Sequence, residues 1–284
     1  MTEGKLLNQD ENGQWWLKVP VSRLSAALIA WLLVVLGITD KISTLTVSRW
    51  LKAEKIKPWL FRSWITPKNL DVFLPRAKAV LDLYQRVPHL RQHESAWCLD
   101  EKTSIQARSR ECQVPCGPGS IARVENIYGR QGAAQLLAGL NIATGAVCGV
   151  VHTNKTFNQF KELIFAIVQE CLKAGKTLIH LVLDNGSCHR PKYLEQWLEE
   201  TFTNVDFKVY WLPVHSSWLN QIEIYFSRLQ QSALTPNNFS SLGDLVDRIV
   251  SFLAMTNLNP APIIWTYTAA QLFRKFGRMV DRIW

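Results

Sequence analysis

The residues of this chain best suited to chemistry are acids placed where strands end. In Leu181-Val182-Leu183-Asp184-Asn185-Gly186, three aliphatics run into an acid and an Asn-Gly turn signal closes the run. The run reads as a buried strand, which sets Asp184 at its C-terminal mouth, where α/β proteins place ligands. A carboxylate there is costly to bury unless a cation or a hydrogen-bond donor compensates it. A second apolar run, Ala96-Trp97-Cys98-Leu99, also ends in acids, Asp100 and Glu101. A third acid, Glu223, falls in the helix-periodic stretch Leu219–Leu234, whose inner face is Ile222, Phe226 and Leu229. Carboxylates of this kind suit a hard divalent cation, which takes oxygen ligands. The competing reading of Asp184 is an aspartate that caps the next helix.

The elements that must position these acids follow from periodicity. After the strand at Ala96–Leu99, Ser104–Tyr128 reads as an irregular loop carrying Arg108, Arg110 and Arg123. Ala133–Ala143 and Ala146–His152 read as strands joined by a Thr144-Gly145 hairpin. Thr156–Ala174 is a helix whose inner face runs from Phe157 to Leu172, followed by a strand at Thr177–Asp184. A helix at Pro191–Glu200, a strand at Phe207–Leu212 and helices at Leu219–Leu234 and Ser241–Ala254 complete the pattern. The succession predicts a ribonuclease-H-like α/β fold. Its mixed five-stranded sheet has three antiparallel strands first, then strands alternating with flanking helices. In that arrangement the first and fourth strands are neighbours, so Asp100 and Asp184 end side by side. Carboxylates that close repel unless a cation lies between them. Glu223 is the third acid, on the helix after the fifth strand.

Composition sets the frame around this site. With 284 residues, 48% hydrophobic and 19% charged, the chain holds a folded domain of ordinary size plus a smaller one. A net charge of +9 implies a polyanionic partner. Six cysteines without a CxxC pair form neither a zinc framework nor a disulfide scaffold, which fits a reducing cytoplasm. Leu24–Ile38 is an apolar run of about 22 Å as a helix at 1.5 Å per residue, short of the roughly 30 Å hydrocarbon core. It reads as a buried helix of a soluble protein, started by Pro20 and Ser22 and stopped by Gly37.

Ser43 then caps a second helix, Thr44–Ala53, with Val47 and Leu51 towards the first helix and Trp50 beside them. Thr46, Ser48, Arg49 and Lys52 are left on the outer face, ringed by Lys41, Lys55, Lys57 and Arg62. This is the layout of a helix-turn-helix whose second helix enters a major groove, and an ordinary basic helical hairpin fits the same pattern. A further helix spans Pro67–Tyr84 with Pro75 at its start, and polar Arg86–Glu94 reads as a linker. The expected domains are a small all-α unit at 1–92 and the α/β domain at 93–284.

Three motifs carry a resemblance. They are Trp97-Cys98-Leu99-Asp100-Glu101-Lys102, Leu183-Asp184-Asn185-Gly186-x-x-His189, and Leu212-Pro213-x-His215-Ser216-Ser217-Trp218-Leu219-Asn220-Gln221-Ile222-Glu223. Together they resemble the acidic motifs of the insertion-sequence-630 transposases, bacterial relatives of the mariner transposases. Tyr128-x-Arg130-x-Gly132 and the segment Ile42–Leu51 are similar to the same family, and the similarity runs from about Pro20 to about Asn257.

The resemblance implies a transposase that binds transposon ends, cleaves strands with water and joins them to target DNA. Asp100, Asp184 and Glu223 would hold two Mg²⁺ (or Mn²⁺) ions, with Asn185 beside them. Strand alternation turns Glu101 away to a supporting or structural place, and Asn220, one turn before Glu223, either hydrogen-bonds a ligand carboxylate or phosphate or caps its helix. Thr46, Ser48, Arg49, Lys52 and Lys55 would contact DNA, and His189 and His215 would reach phosphate from loops. The implied partner is double-stranded DNA, bound by a homodimer in the bacterial nucleoid. The rival readings are a nuclease of the same fold and a truncated, inactive DNA-binding regulator. Family members carry another helix-turn-helix ahead of this one, so an N-terminal half truncated or encoded separately is the expectation.

Overall fold

The computed structural model describes residues 7–9, 15–17, 21, 23–60, 67, 69–189 and 192–283. Pro20, Ser22, Arg62 and Pro191, which the sequence reading used, lie outside the described residues. The chain divides into two compact units, 1–66 and 67–284. The division falls ahead of the third helix, whereas the sequence points to a linker at Arg86–Glu94.

The smaller unit contains an antiparallel pair of three-residue strands, Leu7–Gln9 and Trp15–Leu17, and helices α1 (Ala26–Val35) and α2 (Thr44–Ala53). Ser25 caps α1 by accepting from the Leu28 N–H, and Gly37 stops it at φ +69°, a conformation open to glycine at little cost. Ser43 caps α2 through the Thr46 N–H, as its position predicts. Two expectations fail here. In α1 only Ala30 and Leu32 are buried, and Trp31, Val34 and Val35 face solvent. A helix that is apolar all round cannot be enclosed by so small a unit. In α2 Val47 is buried, but Trp50 is 55% exposed and not packed beside it. Among the described residues no helix is long and apolar enough to cross a membrane.

The larger unit is built on five strands: β1 (Glu94–Ser109), β2 (Gly129–Asn141), β3 (Val147–His152), β4 (Leu178–Leu183) and β5 (Asp206–Trp211). Their order is β3-β2-β1-β4-β5. The first three are antiparallel and β4 joins β1 and β5 in parallel, the mixed ribonuclease-H-like sheet expected from the element succession. Strand alternation sends Cys98 and Val182 into one core and Leu99, Leu181 and Leu183 into the other.

The first core is closed by α3 (Leu70–Arg86), α6 (Ile222–Ser232), α7 (Leu242–Asn257) and α8 (Ala269–Ile283). The second is closed by α4 (Phe157–Lys173) and α5 (Leu194–Thr201). In α3, Phe73, Ala77, Val80, Leu81 and Tyr84 recur at helical spacing and are buried, so this helix belongs to the core of the five-stranded sheet. Asn69 caps it, and Pro75 lies inside it, not at its start. A Thr156–Gln159 capping box opens α4, and Cys171, not Leu172, completes its buried face.

β1 is longer than its apolar run suggests. It continues through the acids to Ser109 across two irregularities, with Ser104 at φ +55°, into what reads as loop. The hairpin glycine Gly145 sits at φ +79°, and a Cβ there would meet the Ala261 carbonyl oxygen at 2.1 Å.

Candidate active site

Register brings the acids together. Cys98 pairs with Val182 in the parallel β1–β4 ladder, so Asp100 and Asp184 are each two residues beyond a paired position. Ligand oxygens of Asp100, Glu101 and Asp184 all lie within 4.8 Å of one another.

Asp100 is buried, 7% exposed. One carboxylate oxygen accepts the Glu101 N–H at 2.8 Å and the other accepts Asn220 Nδ2 at 3.2 Å. The same Asn220 amide donates to the Leu99 carbonyl at 2.8 Å, so the turn before α6 holds the acid by both its backbone and its side chain. Asp184 is half-exposed; its Oδ1 accepts the Gly186 N–H at 2.8 Å and lies 2.8 Å from His189 Nδ1. It therefore ties its own turn as a capping aspartate does, while its carboxylate faces that of Asp100.

Glu101 turns towards the α4 side, as alternation along β1 requires. There Lys155 Nζ stands 2.7 Å from Oε1, and Cys188 Sγ at 3.2 Å and His189 Nε2 at 3.4 Å stand against Oε2. Glu223 projects from the first turn of α6, exposed, and is not one of the three acids whose oxygens converge. It nonetheless feels them. Partial burial first, and then the charges of Asp184 and Glu101, raise its carboxyl above the usual value against the pull of Lys102.

The electrostatics are those of a site short of positive charge. Burial, and next the Asp184 charge, push Asp100 up to about 7. Burial would raise Asp184 too, but the His189 hydrogen bond and charge outweigh it and hold that carboxyl below its ordinary value. Burial opposes a charge on His189, and the bond to Asp184 still pushes it up to about 10. Three convergent carboxylates, one pushed up to about 7 by burial and then by its neighbour's charge, fit a magnesium- or manganese-class ion.

The other singled-out residues are dispersed. Asn185 Nδ2 donates to the Leu212 carbonyl at 2.8 Å and ties the exits of β4 and β5. His215 is exposed at φ +59°. His189, expected to reach phosphate from a loop, is instead wholly buried between Asp184 and Glu101, with its ring 4.6 Å from that of Phe160. Trp218 is 48% exposed and edges onto Tyr267. Lys155 and Cys188 were not foreseen, and only the acidic company they keep in space reveals them. In the smaller unit, Arg49, Lys52 and Lys55 are exposed, Ser48 is half-buried, and the Thr46 hydroxyl is 2.8 Å from that of Ser43.

Comparison with known proteins agrees with this geometry. An IS630 insertion-element protein of Shigella sonnei, described as an uncharacterized 39 kDa protein, is 28% identical over 127 residues. That match covers 45% of this chain and about a third, 35%, of the relative's length. The crystal structure of the Mos1 mariner paired end complex with Mn superposes on 84% of this chain and 73% of that one. Its TM-score is 0.51 at 16% identity, a likeness of fold. The family model for DDE superfamily endonucleases matches residues 95–246, from the start of β1 into α7 and across all the acids discussed. The chain belongs to the DDE superfamily of endonucleases.

Proposed function

We propose that this chain is a DNA transposase that cuts at transposon ends and joins the freed strand to target DNA. The observation that carries the proposal is the convergence of Asp100 and Asp184 at adjacent strand ends in a DDE-family endonuclease. Asp100, Asp184 and Glu223 would hold two divalent ions, Mg²⁺ or Mn²⁺, which when bound lower the pKa of water and stabilise the leaving oxygen in an in-line phosphoryl displacement. Asn220 keeps the Asp100 carboxylate turned to the site, and His189 does the same for Asp184. Glu223, on an exposed helical turn, is the acid free to swing towards the other two.

The smaller unit is the DNA-recognition part of this proposal, with Arg49, Lys52 and Lys55 supplying phosphate contacts and Ser48 reading along the groove. Two copies acting together would pair two transposon ends. The relative's insertion-element origin and the fold neighbour's paired end complex with Mn both support this assignment.

The test is an assay of cleavage and joining on end-containing duplex DNA with Mg²⁺ or Mn²⁺, beside Asp184→Asn. Cleavage and joining that both vanish in the variant support the proposal. Activity that survives Asp184→Asn rejects the metal site, cleavage without joining makes the chain a nuclease, and specific binding alone makes it a regulator.

A further inference from the structure

A second cluster lies against the acid pair and shares Glu101 with it, and its thiol has no part in the reaction proposed above. One ligand atom each from Glu101, Cys188 and His189 lies within 4.8 Å of the other two. Cys188 Sγ is 3.2 Å, and His189 Nε2 3.4 Å, from the same oxygen of Glu101. A tetrahedral zinc ion with bonds of about 2.3 Å to sulfur and about 2.0 Å to nitrogen and oxygen needs ligand-to-ligand edges of roughly 3.3–3.5 Å. The two edges seen here are close to that length. The donor set also differs in kind from the acid pair: thiol, imidazole and carboxylate suit a borderline ion, where oxygens alone suit magnesium.

The histidine supplies an independent observation. His189 is wholly buried, and among the described residues its Nε2 has no hydrogen-bond partner. Its other nitrogen faces Asp184 at 2.8 Å. When metal displaces the proton on Nε2 and the ring proton stays on Nδ1, Nε2 presents a lone pair beside a carboxylate and a sulfur, so the ion takes the place of the positive charge that the imidazolium supplies. A histidine that binds metal through one nitrogen typically donates the other N–H to a carboxylate, the relation His189 has with Asp184. Lys155 engages Glu101 Oε1 at 2.7 Å and leaves Oε2 for the cluster.

We propose that Glu101, Cys188 and His189 bind one zinc ion, separate from the ions at the acid pair, and that this ion pins the Asp184–His189 turn so that Asp184 keeps its orientation. The fourth position is open to water. The site rests on this chain's own side chains and stands whether or not the chain transposes DNA.

The experiment uses the full chain, stripped with a chelator and titrated with cobalt chloride. One cobalt ion per chain should give a thiolate-to-metal charge-transfer band with tetrahedral ligand-field bands, and zinc chloride should bleach both. Ions at the acid pair have oxygen ligands only and give no such charge-transfer band. Cys188→Ser should abolish the band, while a Cys112→Ser/Cys116→Ser double variant keeps it. Glu101→Gln, which leaves the thiol in place, should weaken cobalt binding about tenfold or more, and it carries the test if Cys188→Ser fails to fold. A wild-type chain without the charge-transfer band overturns the proposal. So does a band that survives Cys188→Ser and disappears with the exposed Cys112 and Cys116, or affinity unchanged in Glu101→Gln.

Discussion

The neighbouring strands β1 and β4 carry a buried polar cluster at each end, and the two clusters are built on opposite principles. At the end where the strands begin, Glu94 and His180 are buried and matched. Arg86 Nη2 is 3.2 Å from His180 Nε2, Tyr210 Oη is 3.2 Å from His180 Nδ1, and the Arg91 N–H donates to Glu94 at 3.1 Å. At the end where the acids stand, Asp100, Glu101 and Asp184 converge on Lys155 and His189, and Asp100 is pushed up to about 7. Burial alone therefore marks neither function nor structure. Charge of one sign gathered in excess of its partners marks a site that awaits a ligand, and a balanced cluster marks a fold contact.

The largest effect that distinguishes the ends is loss of chemistry. Asp184→Asn should reduce metal-dependent DNA cleavage to background, and Asp100→Asn should do the same. Asp100→Asn should also stabilise the metal-free chain, because it removes a buried carboxylate that Asp184 crowds. In the presence of a chelator its melting temperature should rise, by about 2–4 °C for each kcal/mol recovered in a chain of this size. A melting temperature below that of the wild type would show that the acid end is balanced after all.

The balanced end should reveal itself in acid. Burial first, then Arg86, pushes His180 down to about 4, with Glu94 pulling the other way and Lys208 adding to the fall. An unfolded histidine titrates near 6.5. Between those values the unfolded chain binds a proton that the native chain refuses, so stability falls as pH drops from about 6.5 to about 4. The full loss is about 3 kcal/mol at 1.36 kcal/mol per unit. His180→Gln, which can still serve Tyr210, should flatten that part of the profile in urea unfolding across the same window. Cleavage at neutral pH should be unaffected, because His180 is remote from the acids along β4.

Asn220→Ala comes next. It removes a donor shared by the Asp100 carboxylate and the Leu99 carbonyl. Orienting partners of metal ligands typically carry about 10–100-fold in metal affinity or activity. Titrating Mn²⁺ into the cleavage assay should shift the half-saturating concentration upwards by that factor, with the maximal rate less affected. A lowered rate at unchanged Mn²⁺ dependence would make Asn220 a packing residue only.

How much of this was legible in the sequence depends on whether a feature is local. The five strands, their parallel or antiparallel sense and the Asp100–Asp184 pairing follow from period, turn signals and the crossover order. The capping of α2 by Ser43 is read from a single residue, while Thr156, read as the first residue of its helix, proves to be the cap of α4. What escaped reading depends on three-dimensional company. Trp50 and α1 read as core because apolar residues usually are, yet the unit holding them offers too little surface to cover them. β1 hides its second half because Glu101–Thr103 interrupts the apolar pattern at a bulge. His189 reads as a phosphate contact on a loop beside the site, and no spacing rule says that this loop folds under the acids and buries the ring. The helix α8 is the exception: Ala269, Leu272 and Phe276 recur at helical spacing and pack on the first core, so its signal is local and legible, yet the helices read from the sequence stop at Ala254.

The smallest prediction compares one cation from each end. Lys155 and Arg86 are each partly exposed, with side-chain exposures of 38% and 43%, and each faces a less exposed acid, Glu101 at 11% and Glu94 at 6%. A count of ion pairs would rate Lys155 higher, since its nitrogen is 2.7 Å from the carboxylate whereas Arg86 is 4.0 Å away. The surroundings reverse that order. Without Lys155, Glu101 still has the Cys188 thiol and His189, and an exposed pair contributes at most about 1 kcal/mol. Without Arg86, the wholly buried His180 loses the partner of Nε2 and Glu94 keeps only Arg91, so the cost includes an unsatisfied buried group, about 1–3 kcal/mol. Arg86→Met should therefore destabilise the chain more than Lys155→Met in paired urea titrations at neutral pH. The reverse ranking would mean that the acid end, not the other, is where cations hold the sheet together.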